Sequence, residues 1–126
     1  MLLLLPKYPL GNYEDYLETV MNKAQSANGE VIILGDLKAK AQEWGSPQTD
    51  ARGRILCDWI ATLNMVVQND GDTPTCVRPN GESYIDITLT TQGAARKITQ
   101  WKVLEEETCS DHRHIMFTIK EGVSGE

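Results

Sequence analysis

The sequence predicts an α/β fold in which one mixed sheet carries its helices on one face. Two amphipathic helical patterns alternate with short apolar runs in the first half, and strand-like segments fill the second half. Alternation followed by a run of strands is typical of a mixed sheet covered by helices. The length of 126 residues gives room for one domain and not for two, so we expect residues 1–126 to form a single domain.

The first half of the chain gives the clearest element signals. Leu2–Leu5 is a short apolar run without the basic segment of a signal peptide, and it predicts a buried strand. Apolar residues recur at helical spacing from 13 to 24, with Asn12 as the cap and Asn28-Gly29 as the stop. Val31–Leu34 then predicts a central strand buried on both faces.

The second half begins with another helix and continues as strands. Thr49 or Asp50 caps a helix whose apolar stripe consists of Ile55, Leu56, Trp59, Ile60 and Leu63. Met65–Val67 predicts a strand, and a hairpin follows, with strands over 75–78 and 83–90 joined by the Asn-Gly turn. Segments 98–103 and 114–119 complete the predicted sheet.

Charge and cysteine usage limit the function classes. Lys and Arg number 12 against 18 Asp and Glu, so the formal charge of −6 excludes nucleic-acid binding by bulk electrostatics. Cys57, Cys76 and Cys109 are an odd, widely spaced set, which favours a reducing compartment. We therefore expect an intracellular protein, nuclear or cytoplasmic and not secreted, with no membrane partner because no stretch approaches about 18 apolar residues.

Four polar residues fall where the predicted strands begin, run or end: Asp36, Asp86, Asp111 and His112. Asp36 directly follows a buried strand, and Asp86 lies within an apolar one, where an acid is costly unless it is paired or binds a metal. Carboxylates that hold a hard divalent cation, beside an imidazole that contacts phosphate, are the requirements of metal-assisted phosphodiester hydrolysis.

The residues of five segments, and the order in which these segments follow one another, resemble those of a known family. The ordered segments are Gly35-Asp36-Leu37-Lys38, Glu43-Trp44-Gly45-Ser46, Thr49–Arg54, Ser83–Leu89 and Trp101–His112. Together they resemble the carboxyl-terminal part of an endonuclease/exonuclease/phosphatase domain, and more narrowly the apurinic-nuclease-like endonuclease of non-LTR retrotransposons. The resemblance covers about residues 13–119.

That resemblance implies a four-layer α/β sandwich and Mg²⁺-dependent nicking of DNA for the element's reverse transcriptase, with Mn²⁺ as the alternative ion. It implies catalytic roles for four residues. Asp36 would orient the attacking water, and Asp86 would pair with His112 and fix its tautomer. Asp111 would lie beside the metal, with Asp36 as a further metal ligand, and His112 would contact the scissile phosphate.

The chain departs from the family pattern in two respects. Lys38 stands where the family has Asn, and a Lys has no acceptor with which to replace an amide. The family's amino-terminal strands, which supply an Asn and the main metal-binding Glu, have no match here, so we expect a truncated domain. Glu14 and Glu18 belong to the solvent face of the first helix and predict surface charge.

Three functions remain open at this point: a DNA endonuclease domain, impaired in this chain; a non-catalytic remnant or partner-dependent module; and a phosphatase of the same superfamily. We further expect the ammonium of Lys38 to lie near Asp36 or Asp111, where it would weaken metal binding. We also expect the sheet face of Ile85, Ile87 and Leu89 to be partly open, because a sandwich needs a second sheet, and the chain to self-associate through it.

Overall fold

In the part of the chain that the structure describes, the main sheet has four strands, and two further pairs of strands lie apart from it. The computed structural model describes residues 1–5, 12–27, 29–105 and 110–120. Its strands are β1 (Leu2–Leu4), β2 (Ile32–Asp36), β3 (Val66–Val67), β4 (Cys76–Arg78), β5 (Gly81–Ser83), β6 (Asp86–Thr90), β7 (Ile98–Val103) and β8 (Ile115–Ile119). Its helices are α1 (Tyr13–Ser26), α2 (Ala51–Thr62) and α3 (Gln92–Ala95), with a 3-10 turn over Gln42–Trp44.

Strand directions confirm the predicted mixed α/β sheet. β1 runs parallel to β2, whereas β2 and β3 each pair antiparallel with β6. β2 and β6 are therefore the two interior strands, and the predicted central position of the Val31–Leu34 segment is confirmed. β1 is an edge strand with Leu2 and Leu4 exposed, so the prediction that this run is buried was wrong.

Not all strands join the main sheet. β4 and β5 form a separate hairpin, and β7 pairs with β8 in a separate two-stranded ribbon. The segment predicted as one strand over 83–90 is divided at residues 84 and 85, so that β5 serves the hairpin and β6 the main sheet. The prediction of one strand over 83–90, and the prediction that segments 98–103 and 114–119 complete a single sheet, were therefore wrong. Periodicity carries no information about which strand pairs with which.

Local capping explains where the two long helices begin. The Asn12 side chain accepts hydrogen bonds from the backbone N–H groups of Glu14 and Asp15, as predicted. Asp50, rather than Thr49, caps α2 by accepting from the Gly53 N–H at 2.8 Å. Asn28, predicted as part of the stop of α1, lies outside the described residues.

Both long helices cover the same face of the sheet. Ile33, Ile87 and Leu89 share that face and are fully buried, in one cluster with residues of α1 and α2 that include Leu17, Met21 and Leu56. The prediction that Ile87 and Leu89 form an open face was therefore wrong, and with it the proposed route to self-association. The alternating pattern defines two faces of a strand without saying which one the helices cover.

The segment after β2 is held between the sheet and α2. Trp44 is fully buried, and its Nε1 donates to the Ala39 carbonyl at 3.1 Å, so this side chain anchors the loop to the core. A Cβ added at Gly53 would lie 2.0 Å from the Lys40 carbonyl oxygen, so only glycine allows α2 to approach this closely. The contact fixes the path of the chain just after Asp36.

No helix in the described part of the chain has the length and apolar character needed to cross a membrane.

Candidate active site

Asp36 and Asp86 lie directly opposite each other on the two interior strands. Asp36 is the last residue of β2 and Asp86 the first of β6, and the antiparallel register pairs them. Their side chains lie on the sheet face opposite the helix-covered one, because Gly35 and Ile87 occupy the next register position. Two carboxylates in directly opposed positions repel each other, so each needs a partner of opposite polarity.

The partner of Asp86 is His112. His112 Nδ1 lies 2.7 Å from Asp86 Oδ2, and the side chains are 27% and 15% exposed. Burial raises the pKa of Asp86, and the hydrogen bond and charge of His112 oppose that shift. The predicted pairing is therefore present in the structure. The catalytic roles assigned to the two residues stay predictions at this point.

The hairpin β4–β5 brings His112 to this position, although 26 residues separate it from Asp86. His112 forms an isolated antiparallel bridge with Cys76 in β4. On either side of the bridge, Val77 N–H donates to the Asp111 carbonyl at 2.8 Å and Arg113 N–H to the Thr75 carbonyl at 2.7 Å. Residues 111–113 thus extend the hairpin by one short strand, and that pairing directs the imidazole toward the sheet.

Asp36 is held by a residue only two positions away. Its Oδ1 accepts from the Lys38 backbone N–H at 2.8 Å, and its Oδ2 lies 3.1 Å from Lys38 Nζ. The predicted proximity of Lys38 to Asp36 is confirmed by these distances. His112 Nε2 lies 3.9 Å from the same Oδ2, so the imidazole stands between the two carboxylates.

Asp111 is oriented differently from the other three candidates. Its Oδ2 accepts from Arg78 Nε at 3.3 Å, and both side chains are about half exposed. The backbone of Asp111 pairs with β4 beside the site, but its carboxylate is outside the close group formed by the other candidates. Its predicted role as a metal ligand stays a prediction.

Two residues that support Asp86 were missed by the sequence analysis. Thr75 is 1% exposed, and its Oγ1 accepts from the Asp86 N–H at 3.1 Å. Asn69 bonds β6 twice, because its Nδ2 donates to the Asp86 carbonyl and its Oδ1 accepts from the Thr88 N–H, each at 2.9 Å. The Asn69 amide thus continues the β3–β6 ladder where the backbone leaves it. Its place right after a strand was the only signal, and turns carry Asn there routinely.

Three side chains of the site could together bind a divalent cation. Asp36, Asp86 and His112 each offer one ligand atom, and these atoms lie within 4.8 Å of one another. Carboxylate oxygens suit a hard cation such as Mg²⁺, and waters commonly complete its coordination. The residues present therefore fit a divalent ion as a partial donor set, in which the Lys38 ammonium already stands at one of the carboxylates.

The mixed sheet, its one-sided helices and the Asp–His pair at the strand ends agree with an α/β domain of the endonuclease/exonuclease/phosphatase type that the sequence resembles. Comparison with known proteins narrows this class. A sequence model of the family described as endonuclease-reverse transcriptase matches residues 5–116. The chain therefore belongs to that family, and the resemblance to non-LTR retrotransposon endonucleases is confirmed.

Individual relatives agree with this assignment. The retrovirus-related Pol polyprotein from the type-1 retrotransposable element R1 of Bradysia coprophila is 31% identical in an alignment of length 119 that covers 87% of this chain and 12% of the polyprotein. The endonuclease domain of TRAS1, a telomere-specific non-LTR retrotransposon, is 32% identical, with a TM-score of 0.82 over 93% of this chain and 55% of its own. The catalytic domain of Xenopus laevis APE2, at 16% identity, covers 98% of this chain and 52% of its own with a TM-score of 0.58, which shows the fold alone.

The chain thus spans about an eighth of the polyprotein and about half of each solved domain.

Proposed function

We propose that this chain is the carboxyl-terminal part of a divalent-metal-dependent DNA endonuclease of the non-LTR retrotransposon type. The observation that carries the proposal is the 2.7 Å contact between His112 Nδ1 and Asp86 Oδ2, made beside a second strand-end carboxylate. An imidazole fixed by a carboxylate and facing another carboxylate suits the hydrolysis of a phosphodiester.

His112 handles the charge that develops on the phosphate. With Nδ1–H donating to Asp86, the other ring nitrogen, Nε2, lies 3.9 Å from Asp36 Oδ2. Asp86 holds the ring in this tautomer and stabilises the imidazolium, so a protonated Nε2 can donate to a phosphate oxygen. The Thr75 and Asn69 contacts to the Asp86 backbone keep this geometry in place.

Asp36 orients the attacking water in the same proposal. Its carboxylate lies at the end of β2 with its side chain only 11% exposed, so a water bound to it would be shielded from bulk solvent. Asp36 and Asp111 would hold Mg²⁺, or Mn²⁺ in its place, and such an ion would neutralise charge on the phosphate and polarise the water. The part of the TRAS1 domain that the match does not cover would correspond to further ligands.

DNA is the proposed substrate because of the family, and the charge of the chain makes the contact local. A formal charge of −6 opposes a polyanion at long range, so affinity has to come from side chains around the site. We therefore expect weak binding by this chain alone and a larger contribution from the remainder of the domain.

One observation favours the second candidate, a non-catalytic or partner-dependent module. Lys38 engages both oxygens of Asp36, so the residue proposed to orient water is already occupied. Among the described residues no feature favours the phosphatase alternative, which rests on membership of the wider superfamily alone.

The test is plasmid nicking by the purified chain in Mg²⁺ or Mn²⁺, with Asp111→Ala and His112→Ala as loss-of-function variants. His114→Ala is the matched control, because His114 is an exposed histidine two residues further along. We expect slow nicking that falls by about 10²-fold or more in His112→Ala and is unchanged in His114→Ala. Nicking that survives in His112→Ala would contradict the proposal. No nicking, even after a fragment supplying the other half of the domain is added, would favour the remnant.

A further inference from the structure

Lys38 combines three features that do not occur together at the other cations described near the site. It lies within hydrogen-bond distance of Asp36 through both its backbone N–H and its ammonium. Its backbone has φ +51°, in the left-handed region. Its ammonium also points at the oxygen that His112 Nε2 approaches to 3.9 Å. We infer that the Lys38 ammonium is a tethered cation that competes with a divalent metal ion for Asp36.

Lys38 occupies both carboxylate oxygens of Asp36. Its Oδ1 takes the Lys38 N–H at 2.8 Å, and its Oδ2 takes the ammonium at 3.1 Å. A metal ion bound at Oδ2 would have to share that oxygen with the ammonium. Two cations held this close repel each other, so the ion has to displace the ammonium or bind less well.

The Lys38 ammonium also changes the net charge of the site. Asp36 and Asp86 face each other across the strands, and their combined negative charge is what would attract a divalent ion. The ammonium cancels one of these two charges without leaving the chain. Because only one residue separates Lys38 from Asp36, the competing cation is present at a high effective concentration whatever the ionic composition of the buffer.

The backbone of Lys38 has a conformation that is unusual for a lysine. Non-glycine residues rarely adopt positive φ, and Asn tolerates it better than Lys. The turn after Asp36 therefore has a conformation that suits an Asn, with a Lys side chain placed on it. A single substitution can restore the amide without rebuilding the loop, and this makes the inference directly testable.

The inference deepens the proposed function, because it rests on Asp36 facing a divalent cation, but its test does not need activity. Free Mn²⁺ is followed by electron paramagnetic resonance while the ion is titrated into the full chain and its variants. Lys38→Asn and Lys38→Gln both remove the ammonium, and Lys40→Asn is the matched control, an exposed lysine on the same loop.

We expect both Lys38 variants to bind Mn²⁺ about tenfold more tightly than the wild-type chain, and Lys40→Asn to stay within twofold of it. Thermal unfolding confirms that each variant is folded. Unchanged Mn²⁺ affinity in the folded Lys38 variants would overturn the inference. So would equal tightening in Lys40→Asn, which would indicate a general charge effect, or tightening in Lys38→Asn alone, which would assign the effect to the shorter Asn side chain and not to loss of the ammonium. Tighter Mn²⁺ binding without nicking would support the inference while counting against the proposed nuclease.

Discussion

The two carboxylates of the site face each other across one pair of strands, yet they are held in opposite ways. Asp86 is paired with an imidazole that reaches it from 26 residues away. Asp36 is paired with an ammonium and an amide that both belong to Lys38, two residues away. The Asp86 side is built by tertiary contacts, whereas the Asp36 side is built by a turn.

This difference has a chemical consequence. An imidazole can give up and take back a proton, so the Asp86 side keeps a group able to follow the charge of a reaction. On the Asp36 side the opposing charge is a lysine ammonium, which carries no acceptor and cannot follow a reaction in the same way. The proposed site thus combines an Asp–His pair suited to proton handling with a carboxylate that already holds an ammonium.

Breaking the Asp86 side should give the largest effect. Asp86→Asn removes the charge that holds and stabilises the imidazolium, and we expect plasmid nicking to fall by about 10²-fold or more. Asp58→Asn, the same change at an exposed helix position, is the control. Equal nicking by Asp86→Asn and the wild-type chain would show that the pair has no part in the chemistry.

The close packing of α2 against the loop after Asp36 should affect the free energy of unfolding. A Cβ at Gly53 would lie 2.0 Å from the Lys40 carbonyl oxygen, so Gly53→Ala has to push α2 away from the loop that follows Asp36. We expect the free energy of unfolding in urea to fall by about 1–3 kcal/mol. Asp58→Ala on the exposed side of α2 should leave it nearly unchanged, and a neutral Gly53→Ala would show that the loop yields freely.

A comparison of two Lys38 variants separates backbone strain from charge. Lys38→Asn and Lys38→Gln both lose the ammonium, but Asn tolerates φ +51° better. We expect Lys38→Asn to be the more stable by about 0.5–1 kcal/mol in urea unfolding. Equal stabilities would mean that the left-handed turn is not strained by a long side chain.

The pH dependence of stability should be the subtlest effect. Burial raises the pKa of Asp86, so the folded state holds this proton more tightly than the unfolded chain does. The resulting stabilisation is complete below the unfolded pKa of about 3.9 and is lost as the pH rises through the raised pKa. Urea unfolding of the wild-type chain relative to Asp86→Asn should therefore show a difference that declines over this window. A difference that grows instead would show that pairing with His112 outweighs burial.

The sequence allowed the local part of this picture to be predicted. The apolar periodicities located α1, α2 and β2, and Asn12 was identified as a cap because capping depends on neighbouring residues only. The position of Lys38 near Asp36 was predicted from the family pattern, in which an Asn occupies this place in the turn after Asp36. These features share one property: the residues that determine them are close together in the sequence.

The remainder depends on contacts that no local pattern encodes. The pairing of β7 with β8 outside the main sheet, and the choice of Ile87 and Leu89 for the helix-covered face, follow from long-range packing. Thr75 and Asn69 support Asp86 only after the hairpin and β3 have docked beside β6. The resemblance to a family brought Asp86 and His112 together in the prediction, and the residues themselves gave only weak separate signals.

The tautomer of His112 tests the contrast between the two carboxylates most directly. Long-range ¹⁵N–¹H correlation of the imidazole, at a pH where the ring is neutral, shows which nitrogen carries the proton. With Asp86 accepting from the ring at 2.7 Å, we predict a protonated Nδ1 and a bare Nε2 in the wild-type chain. In Asp86→Ala the proton should redistribute toward Nε2. A proton on Nε2 in the wild-type chain, or the same tautomer in both proteins, would contradict the account.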